Sequence, residues 1–355
     1  MSLFFKKIKY LIILLIFTYL VTYSNTILSQ SVFDTNFHHV DIQNNDISKY
    51  QSIEINKIKK NSLTNILNRI LLNKEKNKFD RLINIDKELD FLVKNILIEN
   101  EFISQNKYTA DIKINFDKKE IINILHEKKI NYTDITSPNH LLIIAEKNNF
   151  SFNGLTNNNI FYKKNYIHNN NLFKIILPDR SANDRFILPY EKIINKDLQS
   201  FNKISKKYNV KYSFIILIDN IKDSIVVNLY LFSINDNSLL FIGESELLKD
   251  SNNNYELISL LNVWWKKNNL IDTSEINELV CRINTPNIEI LKIINLKINS
   301  ISQVKSNIVN MIKYNSNLQK ITFFGNPKVL FLSLLKNNID IKINNNNKCF
   351  IKLIF

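Results

Sequence analysis

The most polar, charge-dense loop to follow a strand is Pro178-Asp-Arg-Ser-Ala-Asn-Asp-Arg185. It supplies two carboxylates and two guanidiniums, Asp179, Arg180, Asp184 and Arg185, directly after an apolar segment that reads as a strand. In open α/β sheets ligands collect beyond the carboxyl ends of strands. These four residues are therefore the candidate binding residues, and the 179–185 loop is the place where a hydrolase would keep its carboxylates. The competing account is a solvated loop whose local ion pairs contribute little.

Two cysteines, Cys281 and Cys349, stand in the last part of the chain. Outside the cytoplasm such a pair invites a disulfide. Closing so long a loop contributes about 4 kcal/mol in the chain-entropy account. The alternative is a pair of small buried apolar side chains. The five histidines form no ligand cluster: His38 and His39 are adjacent in a strand and so point to opposite faces, and His126, His140 and His168 are isolated. Glu99 and Glu101 read as a wet strand face rather than an acid–base pair. Trp264 and Trp265 lie on a late helix, where one anchors it to the sheet. Three glycines, Gly154, Gly243 and Gly325, cannot build a phosphate-cradling loop, and Gly-x-Ser-x-Gly never occurs. The expectation is a protein that is not an enzyme, with no catalytic residues, no metal and no cofactor.

The elements that must position these residues alternate between periods of two and 3.6. Residues 32–42 read as a strand and 48–71 as a helix with Ser48 as N-cap. A short helix over 85–93 and strands over 95–104 and 108–116 follow. Asp117 caps the next helix, with Glu120 at capping-box spacing. Apolar runs at 140–145 and 211–219 are strands of the kind covered on both faces, and 173–177 is another strand, closed by Pro178. Residues 148–171 are Asn-rich and read as one long loop, and 190–208 as one helix. A hairpin over 221–234 and 239–247, turning at 235–237, leads to a helix over 255–268. The last segment reads β over 278–283, α over 287–298, β over 304–314, β over 318–324, α over 328–336 and β over 349–355. That is the βαββαβ order of a ferredoxin-like sandwich, whose first and last strands are neighbours, which lets Cys281 approach Cys349. The fold class expected is α/β and α+β: a leader over 1–30, an N-terminal α+β module over 31–136, a central α/β module over 137–272 and the ferredoxin-like module over 273–355.

Residues 1–30 have the pattern of an export signal: Lys6, Lys7 and Lys9, an uncharged apolar run over 10–23, then a polar exit. Cleavage before Asn25 and retention as a signal anchor are both open, and each places the body outside the cytoplasm. The formal charge is +14, of which the leader holds three. A basic balance suits anionic lipid, acidic glycan or nucleic acid. Export argues against nucleic acid, and a genome drifting toward Lys, Asn and Ile codons gives the same excess with no partner.

Several stretches together resemble a known family. They are Glu99-Asn-Glu101 leading into Tyr108-Thr-Ala-Asp-Ile-Lys-Ile-Asn-Phe116, Leu141-Leu-Ile-Ile144, Phe173-Lys-Ile-Ile-Leu-Pro178, Lys207-Tyr-Asn-Val210 running into Phe214-Ile-Ile-Leu-Ile218, and Trp265-Lys266. Over residues 32–270 the chain is similar to the proteobacterial family known as domain of unknown function 2066. The family's Trp-rich stretch is replaced here by residues 157–171, so no role attached to that stretch carries over. The resemblance implies an exported bacterial envelope protein, in the periplasm or anchored facing it, with no assigned reaction. The function expected is a non-enzymatic scaffold or protein-binding accessory factor with an envelope protein as partner. The alternatives are binding of anionic lipid or glycan and, behind that, a hydrolase using the 179–185 loop.

Overall fold

The structure is a computed structural model and describes residues 31–148, 151–156, 159–162, 172–220, 224–248, 253–285, 287–314, 316–343 and 349–354. Residues 1–30, read above as a leader, lie outside the described residues. Among them, no helix is long and apolar enough to cross a membrane.

The first layer comprises β1 (His38–Gln43), helices α1 (Ile47–Ile70), α2 (Asn73–Leu82) and α3 (Ile85–Leu92), strands β2 (Val93–Ile103) and β3 (Lys107–Phe116), and α4 (Lys118–Glu127). The three strands form an antiparallel sheet in the order β1-β3-β2. Tyr108, Ala110, Ile112, Ile114 and Phe116 alternate inward along β3 and share a core with Leu63, Ile66, Leu67 and Ile70 of α1. Burial of this apolar stripe stabilises α1 more than its propensity does. The Lys266 ammonium closes the helix end by donating to the carbonyls of Asn68 (2.6 Å) and Leu71 (2.8 Å). Burial there lowers its pKa to about 8.

Two local expectations need correction here. The strand read over 32–42 begins only at His38, because Ser31–Asp34 form a turn that Arg69 holds by its carbonyls. Asp46, not Ser48, caps α1, accepting from the Lys49 amide at 3.3 Å. Asp117 does cap α4.

The second layer holds β4 (Asn139–Asn148), β5 (Ser151–Asn153), a 3-10 turn (Ile160–Tyr162), β6 (Lys174–Ile176), α5 (Ala182–Ile187), α6 (Tyr190–Ile194), α7 (Leu198–Lys207), β7 (Tyr212–Asn220), β8 (Ser224–Ser233), β9 (Ser238–Leu248) and α8 (Asn253–Asn268). The sheet order is β5-β4-β7-β8-β9, with β6 also beside β4. β4 and β7 are parallel, and β7, β8 and β9 form an antiparallel meander. Neighbouring residues of β7 meet helices on opposite faces: Ser213 hydrogen-bonds Ser205 of α7 at 2.6 Å, while the Phe214 ring lies 5.2 Å from Trp264 of α8. That is why these strands are apolar throughout.

The segment read as one long loop is more ordered than expected in its described parts. Between β6 and β5 the free edge of β4 is closed by side chains instead of a strand. The Tyr162 hydroxyl accepts from the Ile144 amide (2.7 Å), and the Asn159 amide donates to the Ile144 carbonyl (3.1 Å). The helix read over 190–208 is two helices, broken where Lys196 adopts φ +57° and Asp197 caps α7.

The last unit is β10 (Ile276–Ile283), α9 (Ile288–Asn299), β11 (Val304–Lys313), β12 (Ser316–Phe324), α10 (Pro327–Lys336), β13 (Ile339–Ile343) and β14 (Cys349–Leu353). The mixed α/β class stands, but the unit is βαββαββ. The first three strands take the ferredoxin-like order β11-β12-β10. The final strand β14 does neighbour β10, yet parallel to it, and β13 adds antiparallel outside it. The missed strand is five residues of alternating Ile-Asp-Ile-Lys-Ile inside a segment that reads as an Asn-rich connector.

Two apolar cores result. One runs continuously from Val32 to Ile271 and takes in Phe324 and Val329; the other spans Cys281 to Leu353. Where they meet, Gly325 sits at φ +66°, and a Cβ there would lie 2.7 Å from the Asp272 nitrogen, so only glycine fits.

Candidate functional site

The structure brings the four loop residues together and binds the loop to the residues that end α7. Ser181 and Asp184 form a reciprocal capping box at the start of α5. The Asp184 carboxylate is fully buried and accepts from the Ser181 amide (3.3 Å), the Tyr208 hydroxyl (2.7 Å) and the Lys207 ammonium (2.5 Å). Tyr208 in turn accepts from the Asp179 amide at 2.6 Å. Burial pushes the Asp184 pKa up, but the hydrogen bonds from Lys207 and Tyr208 outweigh it and hold the group below the usual carboxylate value. Arg180 takes φ +59°, lays its guanidinium 5.4 Å from the Tyr162 ring centre and accepts at its carbonyl from Arg185 at 2.7 Å. Asp184 is thus an ionised staple that ties α5 to the end of α7, not an exposed acid or base.

The histidines are equally occupied. His140 packs against the rings of Phe173, Tyr212, Phe214 and Trp265 and donates from Nδ1 to the Pro138 carbonyl at 2.8 Å. His126 stacks 4.1 Å from Phe324 and bonds the Tyr132 hydroxyl at 3.0 Å. Burial lowers each pKa to about 4, so both rings are neutral near pH 7. His38 and His39 do point to opposite faces: one bonds Ser62, the other Asp111. His168 lies outside the described residues. Among the described residues no group of three or more His, Cys, Asp or Glu is placed to hold a metal. Trp265 anchors α8 through its indole N–H to the Ile135 carbonyl at 2.7 Å. Glu99 and Glu101 do not share a face: Asn100 takes φ +52° in a bulge, leaving Glu99 opposite Asp111 and turning Glu101 to accept from Tyr108.

Cys281 and Cys349 are directly paired in the parallel β10–β14 register, with Cα atoms 4.4 Å apart and their sulfurs bonded. Both are buried on the face that α9 and α10 cover.

The opposite face of that sheet has no described element over it. Strand register aligns Met311, Leu318, Arg282, Phe350 and Lys342 in one row across all five strands, and Ile308, Lys320 and Val280 in the next. Val280 is 53% exposed, Ile308 54% and Met311 43%. Lys320 pairs with Glu278 at 2.8 Å and Lys342 lies 3.8 Å from Asp340. Arg282 takes part in none of the ion pairs found among the described residues.

Charge is distributed unevenly as well. Residues 273–355 hold 11 Lys and Arg against 4 Asp and Glu, a net +7, whereas residues 31–272 hold 33 against 29. Codon drift would enrich lysine in every module alike, so the scarcity of acids in this one is a separate signal. Counting charge by module, rather than over the whole chain, brings it out.

No protein-family model and no curated protein matches the chain. Among solved structures, the LpoB C-terminal domain from Salmonella enterica is similar over 37% of this chain and 95% of that domain, at 11% identity and a TM-score of 0.23. At that score the likeness carries no argument about function.

Proposed function

We propose that this is an exported, non-enzymatic protein of the bacterial cell envelope that acts by holding another protein. The observation that supports this is the uncovered face of the C-terminal sheet, where apolar side chains stand exposed on a folded, disulfide-bonded module. Exposed apolar side chains gathered on one face of a packed domain mark an interaction site. The buried neutral rings of His126 and His140 and the Asp184 carboxylate bound by Lys207 and Tyr208 serve packing, which supports binding over catalysis. The net +7 of residues 273–355 favours a second reading, in which anionic lipid or glycan is the ligand.

The test is crosslinking in intact cells, purification through a C-terminal tag, and mass spectrometry that also reads the mature N-terminus. One dominant envelope protein, with peptides of this chain starting near Asn25, is the expected result. A chain recovered with no protein attached, bound instead to anionic vesicles in a salt-sensitive way, would replace the first reading with the second.

A further inference from the structure

We infer that the outer face of the C-terminal sheet seats an acidic amphipathic helical segment of a partner protein. This rests on the protein-holding reading and says what the partner presents. The inner face of the sheet is covered by α9, 12 residues, and α10, 10 residues. The five strands span about 20 Å between outer axes at the usual strand spacing. The outer face therefore has room for a similar helical layer, and covering a sheet with helices is the common solution for its exposed apolar side.

Charge selects among occupants. Arg282 lies between Leu318 and Phe350 in register, so any cover over those two side chains also encloses its guanidinium. A covered guanidinium needs a carboxylate. A partner carboxylate meeting Arg282 fits a module with 11 basic and 4 acidic residues. A second copy of this chain would bring Arg282 to a module with few acids to meet it, which opposes self-association. Strand addition at the edges is a poorer fit, because register shifts interrupt β11 between Val304 and Ser306 and again between Val309 and Met311, and β13 at the other edge is only 5 residues long.

The experiment places a photo-crosslinking phenylalanine analogue at Val280 or Ile308 of the full chain in cells. Leu296, exposed on α9, serves as the control position on the other layer. The expected product is one partner protein, crosslinked through a peptide with apolar residues at helical spacing and flanking Asp or Glu. Arg282→Glu should cut its yield about tenfold, the scale of one lost charge pair. Replacing the crosslinked partner's acidic residue with Arg should restore it. Unchanged resistance of the variant module to limited proteolysis shows that it is folded. Crosslinks from Val280 and Ile308 to lipid, to a second copy, to the chain's own leader, or to a peptide without acidic residues would overturn the inference. So would a yield unchanged by Arg282→Glu. If Leu296 alone captures a protein, this face is wrong but the protein-holding reading survives. If no position captures a protein, both fail.

Discussion

The central and C-terminal sheets are built from similar strands and end in opposite situations. In the central sheet both faces of β7 meet helices, through Ser205 on one side and Trp264 on the other. In the C-terminal sheet α9 and α10 share one face and the other stays open. The central part has nearly balanced charge, while the C-terminal unit carries half of the net +14. A sheet covered twice has settled its apolar surface within the chain. A sheet covered once, in the most basic module, leaves that surface exposed. The two parts also use different means of stability: a continuous core from Val32 to Ile271 in one, a smaller core with a disulfide in the other.

Removing the disulfide tests that contrast most severely. Cys281→Ala with Cys349→Ala opens a link between residues 68 apart in sequence. The chain-entropy account assigns about 4 kcal/mol to a loop of this order. The C-terminal unit should then unfold first, while residues 31–271 keep their protection in hydrogen exchange. One cooperative transition for the whole chain, unshifted by the change, would erase the distinction between the two parts. Asp184→Ala is the matching cut in the central part. It leaves Lys207 and Tyr208 without their buried acceptor and should cost about 2–3 kcal/mol. The loss should appear in the main denaturation transition and leave the disulfide-bonded unit intact.

The arrangement of the central sheet was legible because doubly covered strands are apolar at every position, as at Leu141–Ala145 and Phe214–Ile218. Caps and bulges were less so. Whether Asp46 or Ser48 caps α1 turns on one residue of backbone, and both side chains suit the role. The bulge at Asn100 separates Glu99 from Glu101 by geometry that alternation does not encode. In the C-terminal unit the first–last strand adjacency followed from the βαββ start, but the inserted strand did not, because five residues beside an Asn-rich run give a weak period-two signal. The 179–185 loop was found by its charge density, yet its partners Lys207 and Tyr208 lie more than twenty residues further on. The open face was hidden because an exposed apolar residue and a covered one look alike in a strand.

Acid should separate the two parts again, at smaller scale. His140 holds a proton only below about pH 4 when folded, against 6.5 for the free ring. Between those values the unfolded chain binds more protons, so its contribution is full above pH 6.5 and is lost as pH falls toward 4. The expected loss by pH 5 is about 2 kcal/mol. His140→Phe keeps a ring against Phe173 and Phe214 and removes the titration. Urea midpoints of the main transition at pH 7 and pH 5 should differ less in this variant than in the wild type. Equal differences would place the acid sensitivity elsewhere, with His126 at the junction as the next residue to change.

The smallest effect should go the other way and in the C-terminal unit. Between α9 and the sheet, Asn307 and Gln319 both donate to the Asn295 side-chain oxygen. The side-chain oxygens of Asn307, Asn317 and Gln319 have no partner there, and Asn317 and Gln319 are buried. A buried acceptor left unmatched costs about 1–3 kcal/mol, more than a methyl-lined replacement of similar volume. Asn317→Leu should therefore stabilise this unit by about 1 kcal/mol, read as a rise in its own urea midpoint with the central transition unmoved. A fall would mean that an ordered water already satisfies the amide, since water in a polar cavity of this kind makes two to four hydrogen bonds. Either sign sharpens the contrast with the central sheet, where the buried Ser205–Ser213 pair satisfies itself.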